Sequence, residues 1–107
     1  MALVRPISIL LAACVAACGA GGSDAPALPE LAGRDSEVRA AVERLHGEVA
    51  AAPENAALCS EWAMLLDANE LDAAAVAAWE RVCALTPEEP RAWYHLARVR
   101  ERRGELA

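Results

Sequence analysis

The chain of 107 residues has no phenylalanine, one tyrosine and three tryptophans. So few aromatics exclude a core built on large rings. Lysine is absent too, and the ten basic residues are all arginine. Apolar residues make up 56% of the chain, but alanine supplies nearly half of them. Alanine buries little area per residue. Such a chain must bring its backbones close together, with alanine at the contacts and a few large side chains filling the gaps. Ala, Leu, Glu and Arg dominate, and all favour helix. Most Pro and Gly fall between the apolar runs. The composition predicts an all-α fold of at most one domain.

Several chemistries are missing. The net charge is −6 and unevenly spread. Residues 24–90 carry 14 acidic and 4 basic side chains, whereas residues 91–107 carry five Arg and two Glu. No continuous basic stripe can neutralise phosphates, which argues against nucleic acid as a partner. The Arg-rich end reads as a solvated helix face. There is no Ser/His/Asp set, no carboxylate pair in a cleft pattern and no Gly-rich loop after a strand. Cys14 and Cys18 lack the C-x-x-C-H spacing of a haem site, and no His or further Cys lies nearby at metal-ligand spacing. His46 and His95 are unpaired in sequence and are expected at the surface. No enzyme activity, cofactor or metal is expected.

Long apolar runs are also missing. Residues 7–18 form an uncharged apolar stretch of twelve, whereas a membrane-spanning helix needs about 20. With Arg5 and the amino terminus before it and small residues at its end, the stretch has the form of a secretory signal. Two tetrapeptides sharpen this: Leu11-Ala12-Ala13-Cys14 and Val15-Ala16-Ala17-Cys18. Both resemble the lipobox of bacterial lipoproteins. The resemblance implies that one thiol accepts a diacylglycerol and that a peptidase cuts just before it. Cys18 leaves a leader of residues 1–17 and is favoured, with Cys14 the alternative. Residues 18–34 then read as a flexible, lipid-anchored linker. Its residues 19–33 have a reach of roughly 20 Å. No acidic residue directly follows either cysteine, which by resemblance suggests the periplasmic face of the outer membrane.

From Asp35 onward apolar residues recur at helical spacing. Val38, Ala41, Val42, Leu45 and Val49 line a first helix, capped by Asp35 or Ser36 and ended by Pro53. Leu58, Trp62, Leu65 and Leu66 line a second, capped by Asn55. After a turn at Asn69-Glu70, Leu71, Ala75, Ala78, Trp79, Val82 and Leu85 line a third. A fourth opens at Pro90, carries Trp93, Leu96, Ala97 and Arg100 on its expected packing side, and ends at Gly104.

Pro53-Glu54-Asn55 and Pro87-Glu88-Glu89 lie 34 residues apart. A helix–turn–helix period of that length points to tetratricopeptide repeats. Residues 35–107 resemble this family. Trp93, Leu96, Ala97 and Gly104 stand at its Trp, Leu, small and turn-Gly positions. Ala63, Ala75, Trp79, Leu85 and Pro87 stand at its small, small, aromatic, aliphatic and proline positions. Cys59, Trp62, Leu66 and Arg100 depart from the pattern. The resemblance implies antiparallel helix hairpins in an α-solenoid, with one complete repeat at residues 56–89 and partial repeats on both sides. Further repeats or a partner chain are expected to cover the last helix, the sequence reading as an N-terminal piece of a longer array.

The resemblance also implies a groove for a protein or peptide partner, faced by Ser60, Met64 and Asp67 and by Tyr94, Arg98 and Glu101. Tyr94 and Arg98 are the foremost contact candidates. Cys59 and Cys83 fall at the same level of an antiparallel hairpin. In an exported chain they are expected to form a disulfide, against the alternative of two buried thiols. The function expected is a membrane-anchored scaffold of the bacterial cell envelope. The alternative is an accessory N-terminal region of a longer exported enzyme or redox protein.

Overall fold

A computed structural model describes residues 25–105. The leader, Cys14, Cys18 and residues 18–24 of the expected linker lie outside the described residues. The described part holds four α-helices and no strand: α1 (Ser36–Ala51), α2 (Ala56–Ala68), α3 (Asp72–Leu85) and α4 (Pro90–Arg102). None is long and apolar enough to cross a membrane. Each packs chiefly on its neighbour in the chain, most extensively α2 on α3. The loops between them are three or four residues long, which favours antiparallel neighbours.

The helix ends follow from local chemistry. Asp35 caps α1 by accepting from the Glu37 N–H at 2.7 Å, and Asn55 caps α2 by accepting from the Leu58 N–H at 3.1 Å. Such side-chain oxygens satisfy backbone donors that the first turn leaves open. Pro90 opens α4, where its missing N–H costs nothing. At the end of α2 the Leu71 N–H reaches the Leu66 carbonyl and the Glu70 N–H reaches that of Asp67, both at 3.0 Å. At the end of α4 the Glu105 and Gly104 N–H groups reach the Arg100 and Glu101 carbonyls, both at 2.9 Å. These are paired Schellman closures. Each needs a left-handed residue, Gly104 at φ 76° and Glu70 at φ 55°. Helix starts Ala56 and Pro90 and left-handed residues Glu70 and Gly104 are both 34 residues apart, so the period seen in sequence recurs in the backbone.

One core runs through the helices. Val42, Leu45 and Val49 of α1 join Cys59, Trp62, Ala63 and Leu66 of α2. Ala75, Val76, Ala78, Trp79, Val82 and Cys83 of α3 meet Ala92, Leu96 and Val99 of α4. Ala63 and Ala75 have no exposed surface, as small residues at a close helix contact must. The expected packing stripe of α4 is rotated by one residue. Ala92, Leu96 and Val99 face inward, whereas Trp93 is 49% exposed and Ala97 and Pro87 are exposed too. Among the described residues α4 packs chiefly on α3, and a narrow stripe of it is buried. The Trp93 indole N–H instead donates to the Pro87 carbonyl at 2.9 Å, folding the ring back over the turn.

The segment before α1 also departs from expectation. Residues 25–34 are a docked strap. Leu31 is buried in the core. A turn closes from the Arg34 N–H to the Leu31 carbonyl at 3.1 Å, with Gly33 at φ 81°, a backbone angle that glycine adopts without strain. The Arg34 guanidinium donates to the Asn69 carbonyl at 2.7 Å, and His46 Nε2 donates to the Pro26 carbonyl at 2.8 Å. A carbonyl only accepts, so that nitrogen carries the proton. Two prolines limit the strap's free conformations, which lowers the entropy lost on docking.

Glu70→Gly is expected to raise stability by about 1 kcal/mol in urea unfolding, because glycine relieves the left-handed strain. Leu66→Ala, at a fully buried position, is expected to lower it by about 2–5 kcal/mol.

Candidate functional site

A groove of about 360 Å³ lies between α2 and α4, with α3 behind it. Ala56, Ala57, Ser60 and Met64 of α2 form one wall. Arg91, Ala92 and His95 of α4 form the other, and Trp79 and Val82 form the back. Ser60 and Met64 are one helical turn apart and therefore share a face. Met64 is 46% exposed, and its flexible thioether adapts to varied apolar surfaces. Opposite it, His95 stacks on Trp79 with ring centroids 4.6 Å apart and planes 12° from parallel. The groove thus joins an apolar wall to an aromatic back, with the Arg91 guanidinium at one side.

Of the residues the sequence assigns to a groove, Ser60 and Met64 line it. Asp67 has another role. It accepts from the Trp79 indole N–H at 3.2 Å and pairs with Arg102 at 2.8 Å. Arg102 also grips Asp72 with Nε 3.1 Å from both carboxylate oxygens and Nη2 2.6 Å from one of them. One guanidinium so ties the end of α4 to the end of α2 and the start of α3. Its hydrogen bonds hold the Asp72 carboxyl below its usual range, against a smaller opposing effect of burial. Arg100 pairs with Glu80 of α3 and Arg103 with Glu105. The Arg-rich end is therefore an interhelical clasp as much as a solvated face.

Tyr94, Arg98 and Glu101 form an exposed stripe beside the groove and do not line it. Tyr94 is 61% exposed, with the Arg98 guanidinium carbon 6.0 Å from its ring centroid. Successive helix positions turn by about 100°, so Tyr94 points away where His95 points in. His95 is the groove residue that sequence reasoning missed. Its stacking partner, Trp79, was visible as a core aromatic, but which helix it would face was not. His46 is likewise no free surface residue, since it holds the strap and lies 5.5 Å from the Trp62 ring.

Cys59 and Cys83 are both free and buried, so the expected bridge is absent. Cys59 donates to the Pro53 carbonyl at 3.5 Å, beside Arg81 and toward the α1–α2 turn. Cys83 stands one turn after Trp79, on the row that faces α4, with Arg100 and Glu80 as its charged neighbours. Lying at one level of a hairpin is not enough, because the two Cβ bonds must also point at each other. Burial pushes both thiols above the ordinary 9.0, outweighing the opposing arginines. Among the described residues no three His, Cys, Asp or Glu side chains gather as a metal site would need.

No protein family matches the chain, and neither curated proteins nor solved structures give a match to it.

Both thiols are expected to resist alkylation in the native protein and to react fully once it is unfolded, with mass spectrometry counting two adducts in residues 25–105. Asp72 is stabilised as the carboxylate, so its contribution is fully present above its ordinary 3.8 and is lost as pH falls through the lowered folded value. Asp72→Asn is expected to destabilise the protein at neutral pH and to flatten the acid limb of a pH–stability curve measured by urea unfolding.

Proposed function

We infer that the chain is a tetratricopeptide-type scaffold that binds a protein or peptide segment in the groove between α2 and α4. The observation that carries this reading is the recurrence, 34 residues apart, of the same helix start and the same left-handed closure. Helix pairs of one length and one closing turn stack in one direction. Each pair has an apolar face that it cannot cover alone, and the leading helices α2 and α4 then stand side by side over a shared concave surface. Ser60, Met64, Arg91 and His95 are the contacts this reading assigns to the groove. The exposed Tyr94 and Arg98 extend the contact surface beyond its edge.

The anchor rests on Leu11-Ala12-Ala13-Cys14 and Val15-Ala16-Ala17-Cys18. With lipid on Cys18, the protein works outside the cytoplasm, on the periplasmic face of the outer membrane. The docked strap supports a short tether. Only six residues, 19–24, separate Cys18 from Ala25. The groove then operates close to the lipid surface.

Palmitate labelling is expected in the wild type and absent from the Cys14→Ser/Cys18→Ser double variant; label that persists there sinks the anchor. A photo-crosslinking residue at Met64 or His95 is expected to capture a discrete protein adduct in envelope fractions, while one at Glu43, an exposed position of α1, captures none. Equal capture at all three positions counts against the groove.

A further inference from the structure

A larger concavity, about 650 Å³, opens on a different face of α3 from the groove. The strap roofs it with Pro26, Leu28 and Pro29, and Trp62 lies at its floor. It is lined by Leu71, which precedes α3, and along α3 by Ala73, Ala74, Ala77, Ala78 and Arg81, mostly one face at helical spacing. From Asp72 to Arg81 this wall is about 14 Å long. The lining is mostly apolar, and Asp72 and Arg81 stand toward the two ends of its α3 wall.

Those ends differ. Asp72 is already gripped by Arg102. Arg81 is fixed but without a carboxylate: its Nε and Nη2 donate to the Pro53 carbonyl at 3.3 and 3.0 Å, and it forms no ion pair among the described residues. Two hydrogen bonds to one carbonyl set the guanidinium plane, the Cys59 thiol lies beside it, and of five N–H donors some remain for an anion. Glu30, the remaining charged lining residue, sits exposed on the strap. An oriented, unpaired cation at one end of an apolar slot matches a carboxylate with an alkyl tail.

We propose that this slot binds a free medium-chain fatty acid, its carboxylate on Arg81 and its tail along Ala77 and Ala74 toward Leu71 beneath the strap. The site is separate from the groove and does not depend on a covalent anchor. A planar guanidinium pairs with a carboxylate through parallel hydrogen bonds, and the alanine wall leaves the tail its room. The His46–Pro26 bond holds the roof in place.

The test is calorimetric titration of the full chain carrying Cys14→Ser and Cys18→Ser, so that no covalent lipid competes. Saturable one-to-one binding of decanoate is expected. Affinity should rise about fourfold per methylene from hexanoate to decanoate and level off once the tail exceeds the slot. Decanol, lacking the charge, should bind at least tenfold more weakly, as should decanoate to Arg81→Gln. Ala77→Trp, a change at an exposed helix position, should abolish binding while leaving the helical circular dichroism intact. Non-saturable binding, decanol bound as tightly as decanoate, or full binding by Ala77→Trp would each overturn the proposal. Should Arg81→Gln fail to fold, the decanoate–decanol comparison on the Arg81 protein decides the role of the charge.

Discussion

The seat of Trp79 between α2 and α4 is the constraint from which the rest of the molecule follows. An indole buried this deeply must find an acceptor for its N–H, and Asp67 supplies one. Asp67 is then a carboxylate at the end of α2 that needs a cation, and Arg102 of α4 meets it. Arg102 reaches on to Asp72 at the start of α3. A single ring is thus linked to three helices through a chain of polar contacts. The ring's other demand is an apolar or aromatic cover, which His95 meets by stacking. That places His95 in the groove and turns Tyr94 outward.

Scarcity of large side chains makes this constraint severe. With no phenylalanine, the core depends on Trp62, Trp79 and a set of leucines and valines held close by alanine. Close-packed interiors tolerate little change in volume. The strap belongs to the same economy. Leu31 adds one more buried aliphatic to the core, and His46 and Arg34 hold the strap to α1 and to the α2–α3 turn. A small helical body gains cover from a segment that composition marks as linker.

The two concave surfaces have different characters because α3 presents different rows to each. Trp79 and Val82 give the groove an aromatic and apolar back, flanked by the exposed thioether of Met64. Ala74, Ala77 and Ala78 give the other face a smooth wall that ends in Arg81. On the readings proposed above, the first takes a protein or peptide segment and the second a slim tail with one anionic end.

What the sequence by itself determined is local and periodic. Apolar spacing marked four helices, Asp35, Asn55, Pro90 and Gly104 marked their ends, and the 34-residue recurrence marked their repetition, because caps and helical periods act within a few residues. Tertiary structure decided everything that depends on rotation about a helix axis. A turn of about 100° per residue separates His95 in the groove from Tyr94 outside it. The same rotation puts Val99 rather than Trp93 in the core and points Cys59 and Cys83 to different sides. Only packing sets that angle, and only packing could show that the Pro-containing segment before α1 lies down on the helices, since its anchors at His46 and Asn69 are distant in sequence.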